Sequence, residues 1–159
     1  MKVPARCLSI SAAVVWLAAG SPELRAADAG GRVEYVGGTL ANLPTKAEGR
    51  VHTSDPNTLV FRARGQDMRV PYGEVNLLEY GQQTGRRYVL ALAISPLLLL
   101  SKSRKHFLTI GYKDGAGNQQ ALVLRVHKND VRALLASLEA RTGLKLDYQD
   151  DEARKAGGG

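Results

Sequence analysis

Hydrophobic and polar positions alternate with a period of two over much of the chain after residue 31, the pattern of strands with one buried face. Leu108, Ile110 and Tyr112 alternate within His106–Tyr112, and Leu122, Leu124 and Val126 alternate within Gln119–His127. Between them Lys113-Asp114-Gly115-Ala116-Gly117-Asn118 is a run of turn formers, so the two segments predict a β-hairpin. Upstream, Arg32–Val36 and Gly38–Leu40 flank a glycine pair at Gly37-Gly38. Gly49–Thr53 and Leu59–Ala63 are separated by Ser54-Asp55-Pro56-Asn57, a second turn signal. Asp67–Tyr80 alternates through Met68, Val70 and Tyr72 and then carries Val75, Leu77, Leu78 and Tyr80, with Gly73 as a bend. These segments predict a small antiparallel sheet of about six strands.

The period then changes. Val131, Leu134, Leu135 and Leu138 follow the i, i+3, i+4, i+7 spacing of one helix face, while Arg132, Ser137, Glu139 and Arg141 tend to the other. Asn129 is the expected N-cap, and Asp130 suits the positive end of the helix dipole. Gly143 stands where a left-handed residue ends a helix, with Leu144 able to make the capping hydrophobic contact. After Tyr148 the sequence turns polar and then all-glycine, which predicts a disordered tail over 149–159. The expected fold class is mostly β: a sheet or barrel closed by one C-terminal amphipathic helix, as a single domain over 32–148.

Residues 1–29 carry the signature of a signal peptide. Lys2 and Arg6 form a positive start, Leu8–Ala19 is an uncharged and mostly apolar run, and Gly20-Ser21-Pro22 breaks it. Ala27-Asp28-Ala29 then offers the small-x-small cleavage pattern, with earlier cuts after Ala26 or Ala27 as alternatives. The apolar run is shorter than the ~20 residues that span a bilayer. Cleavage would remove the single cysteine, Cys7, leaving a cysteine-free exported domain in the periplasm or outside the cell. It would also remove Lys2, Arg6 and Arg25 against Glu23 and Asp28, taking the net charge from +7 to +6. A basic chain favours acidic partners.

One segment does not fit a strand plan. Arg86 and Arg87 precede the uncharged run Tyr88–Leu100, which ends in Leu97, Leu98, Leu99 and Leu100, and Lys102, Arg104 and Lys105 follow it. As a helix the run would reach ~20 Å against a bilayer core of ~30 Å, so it does not span, and Pro96 would kink it. Two functional readings compete with packing of the segment against its own domain. One is contact with an anionic membrane surface, basic flanks on the headgroups; the other is a surface for an envelope protein partner. The candidate interaction residues are therefore Arg86, Arg87, Leu97, Leu98, Leu99, Leu100, Lys102, Arg104 and Lys105.

The order of elements resembles the pleckstrin-homology-like, or GRAM-like, superfold, in which a helix covers the mouth of a small barrel. More narrowly, RVPYGEVNLLEYG (Arg69–Gly81) and the stretch from KHFLTIGYKDG to SLEARTG (Lys105–Gly143) resemble a group of exported bacterial proteins of uncharacterised function. The resemblance runs from about Val33 to Tyr148 and rests on packing and turn motifs. It implies a binding or scaffolding role and no catalytic residue.

Chemistry-bearing motifs are sparse. His52, His106 and His127 are far apart in sequence and lack ligand spacing, so no metal or other cofactor is expected. Serines lack a nucleophile elbow, and Asp114-Gly115-Ala116-Gly117 lacks the helix and lysine of a phosphate loop. Glu74 and Glu79, five apart on an expected strand, would face opposite ways. Arg62, Arg64 and Arg69 form a basic stripe around an expected hairpin at Gly65-Gln66-Asp67, but only Phe61 is near enough to stack on a base, which disfavours nucleic acid. The expected protein is a non-enzymatic binding or interaction module of the cell envelope, with its oligomeric state open.

Overall fold

A computed structural model of the protein describes residues 30–40, 42–82, 106–149 and 151–157. The expected signal peptide and residues 83–105 lie outside them. The described chain is mostly β. Eight strands form one open mixed sheet: β1 (Gly30–Gly38), β2 (Ala47–His52), β3 (Thr58–Ala63), β4 (Gln66–Pro71), β5 (Val75–Gly81), β6 (His106–Lys113), β7 (Gln119–Val126) and β8 (Asp147–Tyr148). Their spatial order is β4-β3-β2-β1-β7-β6-β5-β8, antiparallel throughout except for β8, which runs parallel to β5.

The sheet is curled, and covalent geometry demands it. In a flat sheet the six strand spacings from β4 to β5 would put them ~29 Å apart. Yet β4 ends at Pro71 and β5 begins at Val75, and four residues reach at most ~14 Å. The connection is a 3-10 turn over Tyr72–Glu74, with Tyr72 buried beneath it. Pro71 has no N–H for a ladder and its φ of −58° suits a turn entry, so the expected single strand Asp67–Tyr80 divides here. That split and the short β8 raise the count from the expected six to eight. Glu74 consequently sits in the turn and not on a strand.

Inside the curl lies the core. Leu108, Ile110, Leu122 and Leu124 are wholly buried, as the alternation of β6 and β7 predicts, and Tyr35, Phe61, Leu78 and Tyr80 join them. The other face of these central strands is covered as well: Phe107, Thr109, Ala121 and Val123 are buried. β1 pairs with β2 on one side and β7 on the other, and a bulge at Val36, between Tyr35 and Gly37, shifts its register against β7.

The helix α1 (Val131–Thr142) lays Val131, Leu134, Leu135 and Leu138 on the core, the stripe read from the sequence. Gly31 permits the close approach: a Cβ there would lie 3.0 Å from that of Asp130 and 3.4 Å from a Leu134 methyl. Thr53, fully buried, shares a hydrogen bond of 2.7 Å with Ser137 and ties the end of β2 to the helix. Gly143 closes the helix at φ 71°, donating its N–H to the Glu139 carbonyl. The entry differs from expectation. Lys128–Asp130 is a 3-10 turn, Asn129 lies within it, and no side chain caps α1. The Asp130 carboxylate is engaged instead by the backbone N–H of Arg32 on β1.

The expected disordered tail also differs. Asp151–Gly157 forms a short helix, α2, with Ala153 fully buried. Parallel pairing of β8 with β5 brings this segment back, and Gly157 comes near Leu135, Tyr148 and Tyr80. A polar sequence anchored by one small apolar residue carries little signal of its own.

Candidate functional site

At one end of the curled sheet, where β1 and β6 begin and β7 ends, the surface opens into a cleft of about 540 Å³. Arg32 and Glu34 of β1, Glu48 of β2, His106 of β6, Arg125 of β7, and His127 and Lys128 after it line the cleft. The pairing creates it: His106 stands opposite Val126, which brings His106 and His127 together although 20 residues separate them in sequence.

Each histidine is held by a partner. The Tyr80 hydroxyl shares a hydrogen bond of 2.5 Å with Nδ1 of His106. The two rings are parallel at 6.1 Å, and Tyr148 meets Tyr80 edge-on at the same separation. Burial first, and then the positive charge of Lys128, hold the His106 pKa below its ordinary value. His127 accepts from the Arg32 guanidinium at 3.4 Å.

The fixed charges are largely paired. Arg32 Nε donates to Asp130 Oδ2 at 3.3 Å, and the backbone N–H of Arg32 donates to the same oxygen at 2.8 Å. That backbone bond is the main reason the Asp130 carboxyl titrates below the usual range. The Arg125 guanidinium is bonded to the Glu34 carboxylate. Arg32, Arg125 and Lys128 line the cleft together with Glu34 and Glu48, so it is mixed in sign with a slight cationic excess. Such a cleft can attract an anionic group and orient it by hydrogen bonds. Among the described residues no three His, Cys, Asp or Glu side chains cluster as metal ligands.

A second, smaller cavity of about 210 Å³ lies at the tips of the β1–β2 and β3–β4 connections, with Leu40, Leu43, Phe61 and Met68 as its apolar wall.

Arg86, Arg87, Leu97, Leu98, Leu99, Leu100, Lys102, Arg104 and Lys105 lie outside the described residues. Their attachment points do not: Gly81 on β5 faces Phe107 on β6, so residues 83–105 leave and rejoin the sheet on neighbouring strands. Sequence reasoning missed the cleft, because its members come from four strands and a turn, and only the register brings them together. Among the described residues no helix is long and apolar enough to cross a membrane. A scan against protein-family models finds no match to this chain, and a search of the curated proteins finds no significant relative.

Proposed function

We propose that the protein is an exported, non-enzymatic binding module of the cell envelope, built on a pleckstrin-homology-like barrel, that engages an anionic membrane surface. The observation that carries this reading is the pairing of Gly81 with Phe107. Directly paired residues of an antiparallel ladder are ~5 Å apart, so both ends of the 83–105 segment start from one place on the sheet. The sequence of that segment carries two basic flanks, Arg86-Arg87 and Lys102, Arg104 and Lys105, and neighbouring attachment points suit contact of both with one layer of headgroups. The cationic side chains Arg32 and Lys128 line the cleft beside His106, at the same edge. The barrel reading is supported by the curl of the sheet and by α1 laid across it.

A second reading, an envelope protein partner added to a sheet edge, is favoured by the position of β4 at the end of the strand order. Pro71 and the charges of Asp67 and Arg69 make that edge a poor template.

Co-sedimentation of the protein with vesicles decides between them. Binding to vesicles containing phosphatidylglycerol, absent with phosphatidylcholine alone and lost in high salt, is expected. Charge reversal at Arg86, Arg87, Lys102, Arg104 and Lys105 should weaken it while thermal stability holds. A wild type that ignores anionic vesicles at every salt concentration overturns the membrane reading.

A further inference from the structure

Alternation gives β6 and β7 a second face. Leu108, Ile110, Leu122 and Leu124 point into the core, so Phe107, Thr109, Ala121 and Val123 point away from it. The outward face of an antiparallel sheet is commonly solvated, yet these four residues are only 1 to 7% exposed. The register gathers them. Thr109 stands between Glu79 on β5 and Val123 on β7, and Gly111 stands between Leu77 and Ala121.

Neither described helix covers this face. Leu134, Leu135 and Leu138 of α1 and Ala153 of α2 all belong to the core on the other side of the sheet. Residues 83–105, by contrast, are attached at its margin, where Gly81 stands opposite Phe107. Within them Tyr88–Leu100 is uncharged and ends in four leucines. As a helix that run reaches ~20 Å, more than the ~13 Å from Phe107 to Gly111 along β6. Residues 1–29 would be lost on cleavage and cannot serve the mature chain.

Charge points the same way. Glu79 accepts a bond of 3.1 Å from Gln149 at Oε1, while its Oε2 is buried without a partner among the described residues. A buried carboxylate oxygen calls for a donor, and Arg86–Lys105 holds five cations and no carboxylate.

We infer that the outer face of β5, β6 and β7, around Phe107, Thr109, Ala121 and Val123, is the seat of the chain's own Tyr88–Leu100 run, so that the basic flanks alone meet an anionic membrane and no apolar segment enters it. The contact is then one of cations with headgroup phosphates, held by charge and not by insertion. This second half rests on the membrane reading above; the seat does not.

The test is a crosslink in the full chain carrying Cys7→Ser, which has no other cysteine. Thr109→Cys or Ala121→Cys is combined in turn with Leu97→Cys, Leu98→Cys, Leu99→Cys and Leu100→Cys, and the variants are oxidised. Four successive positions sample every side of a helix and both faces of a strand. A disulfide needs its two Cα atoms within ~7 Å, so a seated run should close at least one pair within a single chain. None should close with Arg132→Cys on α1 in place of the face. A second readout needs no crosslink. Leu99→Trp with Trp16→Phe carries one indole, and phosphatidylglycerol vesicles with brominated acyl chains should bind this variant without quenching its fluorescence. No crosslink, or crosslinks only between two chains, overturns the seat, the latter in favour of a second copy on this face. Quenching overturns it in favour of an inserted segment, and each of these results leaves the membrane reading standing. A wild type that ignores anionic vesicles while a pair closes removes the membrane reading and the second half of the inference, and leaves the seat.

Discussion

The Tyr112 hydroxyl on β6 lies 3.7 Å from the sulfur of Met68 on β4, although four strands separate β6 from β4 in the sheet. In a flat sheet these residues would sit ~24 Å apart. The contact therefore measures the curl directly: the edge strand β4 and the interior strand β6 meet over a shared core. Tyr112 is nearly buried, and burial raises the pKa of its phenol. An O–H to thioether bond is weak, so ring packing must hold the two strands together.

From this contact follows a graded series at one position. Tyr112→Phe keeps the ring and should cost no more than ~1 kcal/mol, whereas Tyr112→Ala empties the junction and should cost ~3–5 kcal/mol. Urea midpoints of the two variants measure the difference. Equal losses would mean that the hydroxyl, not the ring, holds the curl.

The helix gives a cleaner contrast. Leu135 is 1% exposed against the core and Arg132, on the same helix, is exposed. Leu135→Ala should lose ~2–5 kcal/mol, and Arg132→Ala should stay within ~0.5 kcal/mol of the wild type. Denaturant melts of both variants test whether α1 is a structural part of the core or an appendage. Matching midpoints would mark it as an appendage.

His106 sets the pH response of the cleft. Its pKa is lowered in the folded protein, so the native state binds its proton less readily than the unfolded chain does. Stability from this residue is therefore complete above the unfolded value of about 6.5 and is lost as pH falls from there toward the folded value. Thermal melts at pH 7.5 and pH 5.5 should show a decrease that His106→Gln reduces. An unchanged pH slope in that variant would show that the Tyr80–His106 pair carries no linkage. The carboxyls of Asp67, Asp114 and Asp130 titrate low for a different reason, hydrogen bonds to their charged forms. Their contribution fades only at more acid pH, as each falls through its own depressed pKa.

The local elements were legible in the sequence wherever one physical signal dominated. Alternation in His106–Tyr112 and Gln119–His127 predicted β6 and β7, and the turn run between them predicted their hairpin. Helical spacing from Val131 to Leu138 named the four residues that α1 buries, and Gly143 marked its end, because left-handed backbone favours glycine. The helix start was misread at Asn129: the Asp130 carboxylate serves Arg32, 98 residues away, and no local rule contains that bond. The tail was misread for a similar reason, since α2 depends on β8 pairing with β5.

What the tertiary structure alone decided is adjacency across strands. Alternation tells which face a residue occupies, but register tells which residue stands beside it, and register depends on the whole sheet. The sequence by itself presents Arg32, Arg50 and Arg62 as three unrelated cations, and His106 and His127 as two lone histidines. Pairing of β1 with β2, β2 with β3 and β6 with β7 turns the first set into a row and the second into one wall of a cleft. The three-residue turn after Pro71 then obliges the open sheet to curl, because no chain that short can bridge the ends of a flat one.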